Sequence, residues 1–229
     1  MLYLWPQAGS MRSMHSRFGV ITTAAHGCVP TGIKKGRLWA FDNECFRRPF
    51  DYDRWLAHWH RLFPYSKRCL FVVVPDKPID AQGTLALWQD WHALIRKQLD
   101  RFDNLAHVRK PRMGLAFAAQ DGQESLPLPD EAGWVFIAGS TEWKLSDAAA
   151  SVMQRAWDAR MYIHVGRVNS QKRYRYFRRL AERLDLDIVS CEGTAVRFYP
   201  SQALQRLTDI IYECSANAET TARSSLVSE

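Results

Sequence analysis

Long apolar stretches are missing from this chain of 229 residues. The longest, 69–75 and 133–139, are strand-sized, well short of the ~20 residues that a membrane helix needs, so no transmembrane span is expected. Paired cysteines are missing as well. The five present (Cys28, Cys45, Cys69, Cys191 and Cys214) are odd in number and none lies in a C-x-x-C pair. That argues against a disulfide framework and a zinc ribbon, and for a reducing, cytoplasmic setting. No basic leader accompanies the apolar start Met1-Leu2-Tyr3-Leu4-Trp5-Pro6, which reads as a first strand and not as a signal peptide. Proline and glycine are modest at 10 and 12, with no internal repeat and no linker that would split the chain. Disordered and collagenous classes therefore fall away. Acidic residues are the minority, 24 against 31 Lys and Arg, and the net charge of +7 makes a polyanionic partner worth testing.

What is present is a regular return of short, β-prone apolar segments at 2–5, 19–23, 38–42, 69–75, 113–120, 134–139, 161–166 and 187–191. Several are apolar on every residue, as in Leu70-Phe71-Val72-Val73-Val74, which suits parallel strands buried on both faces. Helical periodicity fills 51–63, 79–102, 146–158, 170–184 and 201–214, the third opening after a Glu142-Trp143-Lys144 loop. Strand and helix alternating to the end imply a parallel sheet with right-handed crossovers. Eight strands favour a compact, somewhat irregular (β/α)8 barrel over a doubly wound open sheet. The irregularity is expected early, where a Gly/Pro-containing loop at 26–36 replaces a helix. Residues 1–214 form one domain in this reading, and the Ser/Thr/Ala/Glu-rich 215–229 a disordered tail.

In a parallel barrel, reactive groups collect where strands end. Asp42-Asn43-Glu44, Pro75-Asp76, Gln120-Asp121-Gly122, Gly139-Ser140-Thr141-Glu142, Gly166-Arg167 and Glu192-Gly193-Thr194 all follow apolar segments. Any one of them reads equally well as a helix cap or turn. Six converging on one mouth would make a site that hydrogen-bonds a polar heterocycle and does acid/base or nucleophilic chemistry on it. Other candidates carry less. His26 and His164 are isolated and read as structural rather than as metal ligands, so no metal is expected. Trp55, Trp59, Trp88 and Trp91 sit at helical spacings and read as packing. Cys191 has no recognisable His partner and reads as pocket lining.

The motifs Phe41-Asp42-Asn43-Glu44-Cys45-Phe46, Val74-Pro75-Asp76 and Ala119-Gln120-Asp121-Gly122 are followed by Gly139-Ser140-Thr141-Glu142-Trp143-Lys144-Leu145 and His164-Val165-Gly166-Arg167-Val168-Asn169. In kind and order this set resembles the tRNA-guanine transglycosylase superfamily, and most closely its short DpdA-type branch of DNA 7-deazaguanine transglycosylases from phages and bacteria. The resemblance runs over about residues 2–200. It implies a TIM barrel that exchanges guanine for a 7-deazaguanine base, such as 7-cyano-7-deazaguanine, through a covalent sugar-enzyme intermediate and without a cofactor. By it, Asp42 is the general acid/base and Glu192 the nucleophile, where the family normally carries aspartate. Asp187 is the fallback nucleophile. Asn43, Asp76, Gln120, Gly139, Ser140, Thr141 and Gly166 would hold the base. The closely spaced cysteines and histidine of the tRNA-acting enzymes' zinc subdomain have no counterpart here, which favours DNA over tRNA.

Basic residues would follow the phosphate backbone. Arg47 and Arg48 follow the Asp42 loop, Lys144 follows the Ser140 motif, and Arg167, Lys172, Arg173 and Arg175 cluster after the seventh strand. Distal members such as Arg178 and Arg179 read as a solvated helix face. The target nucleotide must be flipped or unpaired, by this chain or by an accessory protein that opens the duplex. The setting would then be cytoplasmic, the host's cytoplasm for a phage-encoded chain. Two readings stand beside DNA base exchange: the same chemistry on tRNA, and a non-catalytic nucleic-acid-binding barrel.

Overall fold

The apolar segments pair side by side in chain order and return to their starting point. In the computed structural model, which describes residues 1–6, 17–105, 114–193 and 209, the strands are β1 (Leu2–Pro6), β2 (Phe18–Thr23), β3 (Trp39–Asp42), β4 (Cys69–Val73), β5 (Gly114–Ala119), β6 (Trp134–Ile137), β7 (Tyr162–Val165) and β8 (Ile188–Glu192). All pair in parallel, and β8 closes on β1 with Leu4 opposite Glu192. This is a (β/α)8 barrel, and closure excludes the open sheet. Apart from Asp209, which is helical, the expected helix at 201–214 and the expected tail lie outside the described residues.

Two-sided burial accounts for the unbroken apolar runs. Leu4, Ile21, Ala40, Phe71, Val73, Ala116, Ala118, Trp134 and Phe136 point inward and fill the barrel. Their neighbours, among them Trp5, Val20, Phe41, Val72, Phe117, Val135 and Val165, point outward against the helices. Full helices follow β3, β4, β6 and β7: α2 (Tyr52–Leu62), α3 (Ala81–Leu105), α5 (Asp147–Asp158) and α6 (Gln171–Leu184). Asp51 caps α2 by accepting from the Arg54 N–H, and Ser170 caps α6 by accepting from the Arg173 N–H. Trp55, Trp59 and Trp88 are buried and Trp91 packs against the same core, the packing role expected of them.

The irregularities have local causes. After β2 there is only a 3-10 turn (Ala24–His26) and the single-turn helix α1 (Thr31–Lys34). Between β5 and β6, where Gly122, Pro127 and Pro129 interrupt any helix, another 3-10 turn (Gln123–Ser125) stands in for one. Arg155 of α5 reaches across to it, donating to the carbonyls of Gln123 and Leu126. Glu142-Trp143-Lys144, expected as a loop, lies in the one-turn helix α4 (Thr141–Lys144), capped by the Ser140 hydroxyl. Among the described residues, no helix is long and apolar enough to cross a membrane.

Candidate active site at the barrel mouth

The strands' C-terminal ends surround a cavity of about 510 Å³ lined by seven of the strands and, after β7, by Gly166 and Arg167, from Pro6 of β1 round to Glu192 of β8. Its inner wall is apolar (Ile21, Val73, Ala118, Phe136) and its rim polar, the usual make-up of a small-molecule pocket. Asp42, Asn43, Arg47, Asp76, Gln120, Gly166, Arg167 and Glu192 all line it.

Asp76 is gripped from two strands. Asn43 Nδ2 donates to its Oδ1 at 2.7 Å and also to the Val74 carbonyl at 2.7 Å, while Gln120 Nε2 donates to its Oδ2 at 2.5 Å. Asn43 is fixed in turn by the Cys45 N–H at 2.9 Å, and Gln120 by the Ile79 N–H at 3.0 Å. Burial raises the Asp76 carboxyl above its ordinary value, and these donors restrain the rise. Among the described residues Asp42 has no such side-chain donors, only the N–H groups of Glu44 and Asn43. Burial first, then the charges of Asp76 and Glu192, lift its carboxyl to about 7.

Glu192 stands across the mouth, four strands round the ring from β4. Its Oε1 accepts from the Arg167 N–H at 2.7 Å. Burial raises its carboxyl, and the Arg167 N–H and the Lys144 and Arg167 charges oppose the rise. Asp187, the fallback nucleophile, is exposed and precedes β8 at the other end of the barrel, beside Met1.

The Gly139-Ser140-Thr141 turn does not line the cavity. Ser140 is fully used in structure: its hydroxyl donates to Asp121 Oδ2 at 2.6 Å and accepts from the Trp143 N–H, and its own N–H donates to Asp121 Oδ1 at 2.6 Å. A β-carbon at Gly139 would run into the Asp121 carboxylate and the Trp143 ring, so that glycine permits a close approach. Thr141, half-buried, only opens α4. Gly166 does reach the cavity, and a side chain there would strike the Phe136 ring.

The basic residues divide. Arg47 and Arg48 are exposed at the rim, Arg48 paired with Glu44 at 3.4 Å. Lys172 and Arg175 are exposed on α6, away from the cavity. Arg173 is half-buried, its guanidinium donating to the Arg167 carbonyl at 3.2 Å. Arg167 turns inward, donating to the Ala138 carbonyl at 3.2 Å and lying 4.3 Å above the centre of the exposed Phe46 ring. Lys144 is a correction: it is only 3% exposed, its ammonium on the Gly166 carbonyl at 3.0 Å, out of reach of a surface phosphate. The one-turn helix and its Ser140 cap carry the side chain inward.

Sequence reasoning gave Phe46 no place at the site and read His26 as structural, yet both line the cavity, as does Glu44 of the Asp42 strand end. Phe46 closes a quoted motif, but nothing in sequence marks a phenylalanine as 62% exposed. His164 lies inside the barrel, its Nδ1 2.8 Å from Ser190 Oγ, and burial lowers its imidazole to about 3. Among the described residues, no group of His, Cys, Asp and Glu is arranged to hold a metal. Comparison with known protein families, curated proteins and solved structures gives no match.

Proposed function

We propose that this chain is a glycosyltransferase that exchanges guanine in DNA for a 7-deazaguanine base. The observation that carries the proposal is the set of three carboxylates converging on one mouth, Glu192 buried and the other two half-buried: Asp42 held near 7, Asp76 clamped as an acceptor, and Glu192 facing them with an N–H on its oxygen. Base exchange needs those three parts, a proton carrier, a purine-edge reader and an attacking carboxylate. The resemblance of the ordered motifs to the DNA-acting transglycosylases supports the same assignment.

In the first step a Glu192 carboxylate oxygen attacks C1′ of the flipped nucleotide. The C1′–N9 bond breaks, its electron pair leaves with guanine, and Asp42 supplies a proton to the departing base. In the second step Asp42 takes the N9 proton of the incoming deazaguanine, N9 bonds to C1′, and the ester C–O electrons return to Glu192. A carboxyl near 7 suits both directions of proton transfer close to neutral pH. Asp76 would accept hydrogen bonds from the purine edge, and the apolar wall of Ile21, Val73 and Phe136 would take its faces.

The test is to incubate the protein with a labelled 7-deazaguanine and guanine-containing DNA or tRNA, then digest and identify the nucleosides. Label in DNA is expected. Label in tRNA alone moves the substrate to tRNA, and label in neither, with salt-sensitive DNA binding intact, leaves a binding barrel and overturns the proposal. Glu192→Gln is expected to abolish the trapped covalent adduct.

A further inference from the structure

The Gly166–Arg167 peptide is held on both sides. Its carbonyl accepts from Lys144 Nζ at 3.0 Å, and its N–H donates to Glu192 Oε1 at 2.7 Å. Arg167 has a left-handed φ of 56°, a conformation a non-glycine residue holds at some cost, so the orientation of this peptide is imposed by its surroundings. Lys144 Nζ has a second carbonyl, Ala138, at 3.5 Å. Two carbonyls compensate poorly for removing an ammonium from water, and a nearby anion is the usual remedy. Glu192, 8% exposed on the far side of the peptide, is that anion. A cation on the carbonyl also polarises the amide and strengthens its N–H as a donor.

We infer that Lys144 is a positioning residue that acts through the Gly166–Arg167 peptide, favouring the ionised form of the Glu192 carboxylate and holding it in one orientation. That this orientation serves attack on a sugar rests on the base-exchange reading; the coupling itself does not. Glu192 is faced by Arg167 and Lys144, by Asp42 of β3, by Tyr3 of β1 and by its neighbour Cys191. Lys144 is faced by Arg167, Arg173, Asp121 and Glu192, and by His164. Burial first, then the Arg167 charge, lowers its ammonium to about 8, against the opposing pull of Glu192.

The test is a carbon-13 NMR titration of the glutamate carboxyls in the full chain, with the Glu192 signal identified by its loss in Glu192→Gln. Lys144→Met is expected to raise the proton affinity of Glu192 by about tenfold, one pH unit, and Lys144→Arg to restore it. An unchanged Glu192 midpoint in Lys144→Met overturns the inference. Coupling between sites is reciprocal, so Glu192→Gln is expected to lower the Lys144 ammonium midpoint by the same factor. That measurement decides the matter even where Lys144→Met does not fold, and an unshifted Lys144 overturns the inference equally. Neither titration requires turnover, so coupling without base exchange counts against the proposed function alone. In turnover, Lys144→Met should lower kcat and leave KM for DNA and its salt dependence unchanged; a phosphate contact would give the converse and overturn the positioning role.

Discussion

Asp42 keeps its proton to about pH 7 in the folded chain, whereas an unperturbed aspartate loses it near 3.8. Between those values the folded state binds more protons than the unfolded one, so this group makes stability fall as pH rises from about 4 to about 7. Asp42→Asn should remove that slope and raise Tm at pH 8 while abolishing base exchange, read by thermal melts at pH 5 and pH 8 beside the incorporation assay. An unchanged Tm at pH 8 would contradict the burial of an ionised Asp42. Exchange should fall as pH rises through about 7, where Asp42 loses the proton that it gives to the departing base, as read from a pH–rate profile. Glu192→Asp keeps the carboxylate but shortens its reach, and should lower the rate by about 100-fold if position is what matters. At this scale the strand-end rule made Asp42, Asp76, Gln120 and Glu192 legible. Lys144 was not, because a lysine beside a turn reads as solvent-facing until the fold places it on the Gly166 carbonyl.

Helices α2 and α3 are pinned to the barrel by an aromatic seam that also sets the Asp42 end of β3. Phe41 packs against both Trp55 and Trp59, with ring centres 5.6 and 6.3 Å away and the two indoles 6.1 Å from each other, and Phe50 meets Trp91 at 5.0 Å. Trp59→Ala should cost about 3–5 kcal/mol in denaturant unfolding, and a loss below about 1 kcal/mol would mean that the seam is not packed as described. Ser140→Ala removes the cap of α4 and one partner of Asp121 and should cost about 1–2 kcal/mol by the same measurement. The long elements were legible because their periodicity runs over several turns. Helix α4 was not, since one turn has no period to detect, and the 3-10 turn between β5 and β6 shows only as a cluster of glycine and proline.

At the scale of the whole molecule, exposed basic residues stand both at the rim, where Arg47 lies, and on α6, where Lys172 and Arg175 are exposed. Replacing Lys172 and Arg175 together by Gln should reduce the slope of log K against log salt for DNA binding by about 2 if both touch phosphates, and by nothing if α6 is merely solvated. The barrel itself was legible from eight returning apolar segments, but its closure was not, because no local pattern states that β8 pairs with β1. That seam has a consequence for how the site comes into being. Asp42 and Glu192 are 150 residues apart in the chain (192 − 42), and they face each other only once β8 has docked beside β1. Such distant pairing forms late in folding. A nascent chain with its first seven strands made therefore holds Asp42 without Glu192, and the two carboxylates come to share one mouth only when the last strand arrives.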